Sequence, residues 1–392
     1  MWRKLSVFAA VLTIIGAFYS QGNAQPQTLS IRDCIQIALK NNPDLKNAER
    51  QIRLSATNVT MARANILPSI RLNFSSSRTY QASQGPYLQD VPVLDPVTGR
   101  VTGFMQQTTF RDSYYRNFFN NGVSLDQNIY DGGRWWNQIK QSNAQYKSTE
   151  SSYKESRQQT IAAVTQRYYN LLKGIKLQEV YEKAVESARE QLKKTESMYE
   201  VGVVAQADVF RAKVSLGDQQ INLIKQRNSV EVNRTSLNLA MGWEPKHTIR
   251  IREENFEIGN IDESLDKMWQ ISEGKNSELR SLKENVKSDE YGIKVSKSSF
   301  LPRLSVSTSY SRGQTDFDLL YNPTDKNYSL RGSLNLSWNL FNGFSDHAQV
   351  ERASINYYID KEHYISRKLT IKSEIEQSYL NMKAYEEIEK IN

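Results

Sequence analysis

The chain has 392 residues, 39% apolar and 24% charged, with a net charge of +8 and a mean hydropathy of −0.63. This excludes a bundle of membrane-spanning helices, each needing ~20 consecutive apolar residues, but not a β-barrel, whose strands show lipid only every second residue. Acids and bases are mixed along the chain, with no basic stripe of the kind that binds nucleic acid. A lone Cys34 and the scattered His247, His347 and His363 form no disulfide, metal or redox motif, so no enzyme activity and no cofactor are expected.

The N-terminus reads as an export signal. Arg3 and Lys4 precede the apolar run Leu5–Phe18, too short to span a bilayer, and Gly22-Asn23-Ala24 places small residues where a signal peptidase reads. Residues 1–24 are expected to be removed, with no cysteine at the cleavage point to take a lipid anchor. Residues 25–64 are predicted as helices. A first β-hairpin follows over 65–131, with Ile70, Leu72 and Phe74 interleaved with Arg71, Asn73 and Ser75, then Val123, Leu125 and Ile129 alternating with Ser124, Asp126 and Asn128. Between these strands about 79–112 is rich in Pro, Gly, Gln and Thr and is predicted as a long loop.

Gly132 and Gly133 let the chain turn from strand into helix. Residues 132–242 are predicted as a long helical hairpin. Arg134 to Glu200 contains no proline, and Ile161, Val164, Tyr168, Leu171 and Ile175 recur at the spacing of a helical seam. At about 1.5 Å per residue such a helix is roughly 100 Å long. The hairpin turns near 201–207 and returns from Asp208 to Met241. Residues 243–297 begin a second half, 298–342 form a second hairpin (Leu304, Val306, Thr308 and Tyr310, then Leu330 to Leu340), and 343–392 form another long helix.

The two halves are copies. Asn42-Pro43-Asp44-Leu45 corresponds to Asn276-Ser277-Glu278-Leu279, and Leu67-Pro68 to Leu301-Pro302, both at an offset of 234. Ser124–Gly133 corresponds to Asn335–Phe344 at an offset of 211, so the first copy carries its extra residues inside the predicted loop. A period this long marks a duplicated half-protein rather than a solenoid. Gly343 falls opposite Gly132. A second helical turn is expected near position 413, past Asn392, so the chain reads as lacking the end of its second hairpin.

Four strands cannot span a bilayer alone, because their open edges would leave backbone groups unpaired in hydrocarbon. In this, and in Ala38-Leu39, Leu67-Pro68-Ser69, Tyr130-Asp131-Gly132-Gly133, Val201-Gly202-Val203-Val204-Ala205-Gln206-Ala207-Asp208-Val209 and Leu239-Ala240-Met241-Gly242, the chain resembles the TolC-like outer-membrane efflux family. The resemblance implies an α+β membrane protein. As a homotrimer, it would contribute four strands per chain to one shared twelve-stranded barrel in outer-membrane lipid, above a periplasmic helical tunnel. It also implies a passive exit duct, fed by an inner-membrane transporter (RND or ABC type) through a periplasmic adaptor, with no nucleic-acid partner. Val201, Gly202, Val203 and Val204 would be the adaptor-contacting tip and Asp208 part of the entrance gate. Trp135, Trp136, Trp338, Phe341 and Phe344 would be membrane-interface aromatics beside the strand–helix turns at Gly132, Gly133 and Gly343. A periplasmic adaptor also has a long hairpin, but four alternating strands and the lack of a Gly-rich lipoyl-like module disfavour it. A single-chain porin would need at least eight strands.

Overall fold

Two irregular boundaries in the sequence, Gly132-Gly133 and Gly343-Phe344, are where strands give way to the longest helices. A computed structural model describes residues 28–253, 264–322, 324 and 326–391. The expected signal segment 1–24 and part of the segment expected over 243–297 lie outside the described residues. In chain order the elements are β1 (Thr28–Leu29), α1 (Ile31–Asn41), α2 (Pro43–Ala64), β2 (Ser69–Gln81), β3 (Gln84–Leu94), β4 (Val101–Arg111), β5 (Tyr114–Tyr130), α3 (Arg134–Glu200) and α4 (Gln206–Ala240). Then follow β6 (Arg250–Ile251), α5 (Leu265–Lys275), α6 (Ser277–Lys297), a 3₁₀ turn (Ser298–Phe300), β7 (Arg303–Gln314), α7 (Phe317–Leu320), β8 (Tyr328–Ser337) and α8 (Ser345–Ile391). Among the described residues no helix is long and apolar enough to cross a membrane.

The chain divides into two units, Met1–Leu54 with Thr149–Ser281 and Lys368–Asn392, and Ser55–Ser148 with Leu282–Arg367. In the first, Val164, Tyr168 and Leu171 of α3 lie on one helical stripe and pack with Cys34 and Ala38 of α1, Val230 and Leu237 of α4, and Met241 at its C-cap. Cys34 is wholly buried there as a small apolar side chain. The Tyr168 hydroxyl donates to the Arg252 carbonyl and, at 3.3 Å, to that of Leu29, tying α3 to the short parallel pair β1–β6. Gly174, the one glycine of α3, faces α4. A Cβ there would meet Asn233 at 3.3 Å and Val230 at 3.4 Å, and Gln226 donates to its carbonyl at 2.9 Å. The hairpin ion pairs Arg227–Glu182 (3.1 Å) and Lys213–Glu196 (3.4 Å) are exposed and screened by solvent, so they add little to stability.

In the second unit β2, β5, β7 and β8 form one antiparallel sheet in the order β2-β5-β7-β8. β3 and β4 form a separate two-stranded ribbon. The region expected as a long loop is therefore mostly strand. Its prolines and glycines fall at the ends, irregularities and solvent edge of the ribbon, where no ladder donor is needed, so composition alone misread it. β8 ends at Ser337, leaving Trp338 to Leu340, expected as strand, outside it.

Helix starts repeat between the halves. Ser30 accepts from Asp33 N–H at 3.1 Å, and Ser264 from Lys267 N–H at 3.4 Å. Asn42 accepts from Leu45 N–H at 3.1 Å, and Asn276 from Leu279 N–H at 2.9 Å. Asp131 accepts from Trp135 N–H at 3.0 Å, and Asn342 from Asp346 N–H at 3.4 Å. Each side chain satisfies a first-turn donor that the helix cannot.

Candidate functional site

The register sorts the four-stranded sheet into two chemically distinct faces. On one lie Ile70, Leu72 and Phe74 of β2, Val123 and Leu125 of β5, Val306 and Tyr310 of β7, and Leu330, Leu334 and Leu336 of β8. Leu72 is 79% exposed and Leu336 70%, a degree of apolar exposure that water disfavours and hydrocarbon accepts. On the other face, one ladder row runs Arg71, Ser124, Ser309, Arg331 and the next Asn73, Gly122, Ser311, Ser329. Arg71 is ion-paired with Asp126, and Ser307 and Ser333 share a hydrogen bond of 2.7 Å on the same face.

Aromatic rings bound the apolar face at both ends. Far from the long helices, Tyr80 stacks on Tyr115 at 4.9 Å and Tyr310 on Tyr328 at 5.7 Å, while Phe74 and Phe119 pack edge-on to Phe317. Near the helices stand Trp136 (58% exposed), Trp338, Phe341 and Phe344. From Tyr328 to Ser337, which Trp338 follows, is nine strand steps, roughly 30 Å, or about 23 Å of height at the ~40° tilt usual for such strands. That matches the apolar band of an outer membrane. Tyr80 and Tyr328 of this far end went unassigned in the sequence. Their signal was their even spacing from Ile70 and Leu330.

Trp135 departs from expectation. It is 7% exposed, because successive helix residues point about 100° apart and α3 turns Trp135 inward as it turns Trp136 out. It is not a surface aromatic of this chain.

The strand–helix turns are built by backbone in the left-handed region at Gly132 (φ +71°), Gly133 (φ +77°), Gly343 (φ +66°) and Phe344 (φ +66°). A Cβ at Gly132 would lie 2.7 Å from the Ser298 carbonyl, so the turn also needs the missing side chain.

At the end of α3, Gly202 (φ +80°) donates to Tyr199 at 2.9 Å and Val203 to Met198 at 2.8 Å, the paired bonds of a Schellman stop. Val201 (73%) and Val203 (68%) are exposed there, and Val204 is half-buried. Asp208 opens α4: its carboxylate accepts from Ala205 N–H at 3.1 Å and pairs with Arg211 at 2.7 Å, all within one turn. Among the described residues no cluster of His, Cys, Asp and Glu could hold a metal ion.

The family described as outer membrane efflux protein matches residues 34–243 and 270–391. The alkaline protease secretion protein AprF of Pseudomonas aeruginosa is 21% identical over 354 residues, 90% of this chain and 69% of that protein. Outer membrane protein TolC of Vibrio cholerae is 20% identical over 354 residues, again 90% of this chain and 72% of its own length. The CmeC outer membrane channel of Campylobacter jejuni superposes with a TM-score of 0.72 at 21% identity, over 92% of this chain and 75% of that one. VceC of Vibrio cholerae does so with a TM-score of 0.72 at 15% identity, over 90% and 79%.

Proposed function

The chain belongs to the outer membrane efflux protein family, and on that premise we propose that it is a passive, non-enzymatic exit duct of the outer membrane, serving efflux or type I secretion. The observation that carries this is the two-faced sheet with two free edges. Its apolar face suits lipid, its polar face suits water, and β2 and β8 end in unpaired backbone that hydrocarbon would not tolerate. Closure by copies of the same chain satisfies both edges, and three copies supply twelve strands. The second apolar stripe of α4 supports the same assembly: Phe210, Val214, Ile221 and Ile224 recur at helical spacing and are exposed in the single chain.

In this reading the helices stand in the periplasm and the tip Val201–Val204 docks a periplasmic adaptor. Through the adaptor the duct receives substrate from an inner-membrane transporter of the RND or ABC type. Trp136, Trp338, Phe341 and Phe344 rest at the periplasmic interface of the outer membrane. Asp208 belongs to an entrance gate whose helices untwist to open the lumen. Secretion by AprF, named for an alkaline protease, makes protein cargo one option for this chain.

The test is conductance in a planar bilayer together with adaptor cross-linking. A water-filled pore that cross-links an adaptor through the tip supports the duct. A trimer that inserts but passes no ions overturns it. Gly202→Trp is expected to abolish cross-linking and leave insertion intact; unchanged cross-linking would remove the tip from the interface.

A further inference from the structure

We infer that the barrel lumen is a cationic vestibule that selects for anionic solutes, an inference that rests on the duct reading above. The polar face of the sheet carries four arginines per chain, Arg71 on β2, Arg116 on β5, Arg303 on β7 and Arg331 on β8, and one acid, Asp126. Parity in the register puts all five on the Ser- and Asn-rich face: Arg71 opposes Ser124, Arg116 opposes Thr79, Arg303 opposes Ser337 and Arg331 opposes Ser309. Asp126 is committed to Arg71, which leaves Arg116, Arg303 and Arg331 without a carboxylate on that face.

The opposite face shows that this bias is positional. Its only two charged residues are Arg78, which lies over the Tyr115 ring at 4.6 Å, and Arg312, which donates to the Asn322 carbonyl at 2.7 Å. Both stand at the aromatic end, where a cation can reach headgroups. Because β2 and β8 are the edge strands and each carries an arginine in the same ladder row, closing the barrel brings arginine to both sides of every seam. The excess of three positive charges per chain is then repeated in each copy around a low-dielectric wall, which focuses the field into the lumen. A carboxylated or sulfonated solute is favoured there, and a cationic solute is disfavoured.

The test is the reversal potential of the exported, assembled protein in a planar bilayer under a KCl gradient. At ~0.1 M salt, where the Debye length is ~10 Å, chloride should permeate about threefold or more over potassium, and the preference should fall towards unity near 1 M, where it is ~3 Å. Arg116→Gln with Arg331→Gln should move the potential towards cation preference. Asp126→Asn should move it the other way, and Arg78→Gln on the lipid-facing side should leave it in place. An open pore that prefers potassium, or one whose potential ignores both lumen substitutions, overturns the inference and leaves the duct standing. A trimer that conducts nothing overturns the duct, and the inference with it.

Discussion

Gly202 and Gly242 share a backbone angle and differ in what surrounds them. Both end a helix in a Schellman stop, at φ +80° and φ +74°. A Cβ on Gly202 would meet nothing within 4 Å, whereas on Gly242 it would lie 2.7 Å from the Asn41 carbonyl. Gly202→Ala should therefore cost only the left-handed backbone, ~1–2 kcal/mol, while Gly242→Ala adds a clash with backbone that cannot yield and should cost several-fold more. Denaturant unfolding followed by helical circular dichroism separates the two, and equal losses would refute the packing argument. Phe344 holds the same backbone angle without being glycine, where the first copy has Gly133. Its backbone costs roughly 1–2 kcal/mol, and its ring, 68% exposed and packed edge-on to Phe341, suits the interfacial role proposed for it. Asp208 has its cap and its arginine inside one helical turn, so Asp208→Asn should cost less than ~1 kcal/mol in thermal unfolding. A loss of 3–5 kcal/mol, the order seen when a desolvated pair is broken, would reveal the further partner that a latch requires.

At the scale of elements, the ribbon β3–β4 is separable from the sheet. Pairing of β2 with β5 already closes at Gln81 opposite Tyr114, before the ribbon begins. Replacing 83–112 by a short glycine-containing turn should leave the β signal of the sheet and the insertion of the protein unchanged, because no sheet hydrogen bond is lost. Failure to insert would show that the ribbon guides the hairpin. Helices α6 and α8 carry a pH-sensitive contact. Burial raises the Asp289 carboxyl from 3.8 to about 6, and its hydrogen bond and repulsion with Asp360 act in the same direction. The folded protein thus holds a proton that the unfolded chain has released. The contribution is complete below pH ~4 and is lost as pH rises through about 6. Asp289 is only partly buried, so the effect after solvent screening is on the order of 1 kcal/mol. Melting temperatures from pH 4.5 to 7.5 should fall more steeply for the native protein than for Asp289→Asn. Parallel curves would dismiss the contact as a pH sensor.

At the scale of the whole molecule, the free edges of β2 and β8 predict a trimer when the protein is extracted in mild detergent. Size exclusion with light scattering checks it, and a stable monomer with its sheet intact would sink the shared barrel. Much of this architecture was legible in the residues. Strand alternation around Ile70 and Leu334, the seam through Val164 and Leu171, and the copied Asn42 and Asn276 are local patterns, and a period of two or 3.6 needs no partner to be read. The duplication was legible too, although the cap pair Ser30 and Ser264 emerged only once the helix starts were in place. Other features were hidden because they depend on residues far apart in the chain. The burial of Trp135 beside exposed Trp136 is set by the packing around the start of α3, and nothing in two adjacent tryptophans says which turns in. The ribbon was masked by its prolines, which a strand edge accepts and a composition count does not. The arginines of the polar face are scattered from 71 to 331 and look like part of a mixed charge pattern until four-strand register aligns them. The sequence alone determined the strands of the four-stranded sheet, the long helices and which residues alternate, since those follow from short-range stereochemistry. Strand order, register and the sorting of charge to one face were decided only by tertiary structure, because backbone pairing between distant segments chooses which side chains stand together.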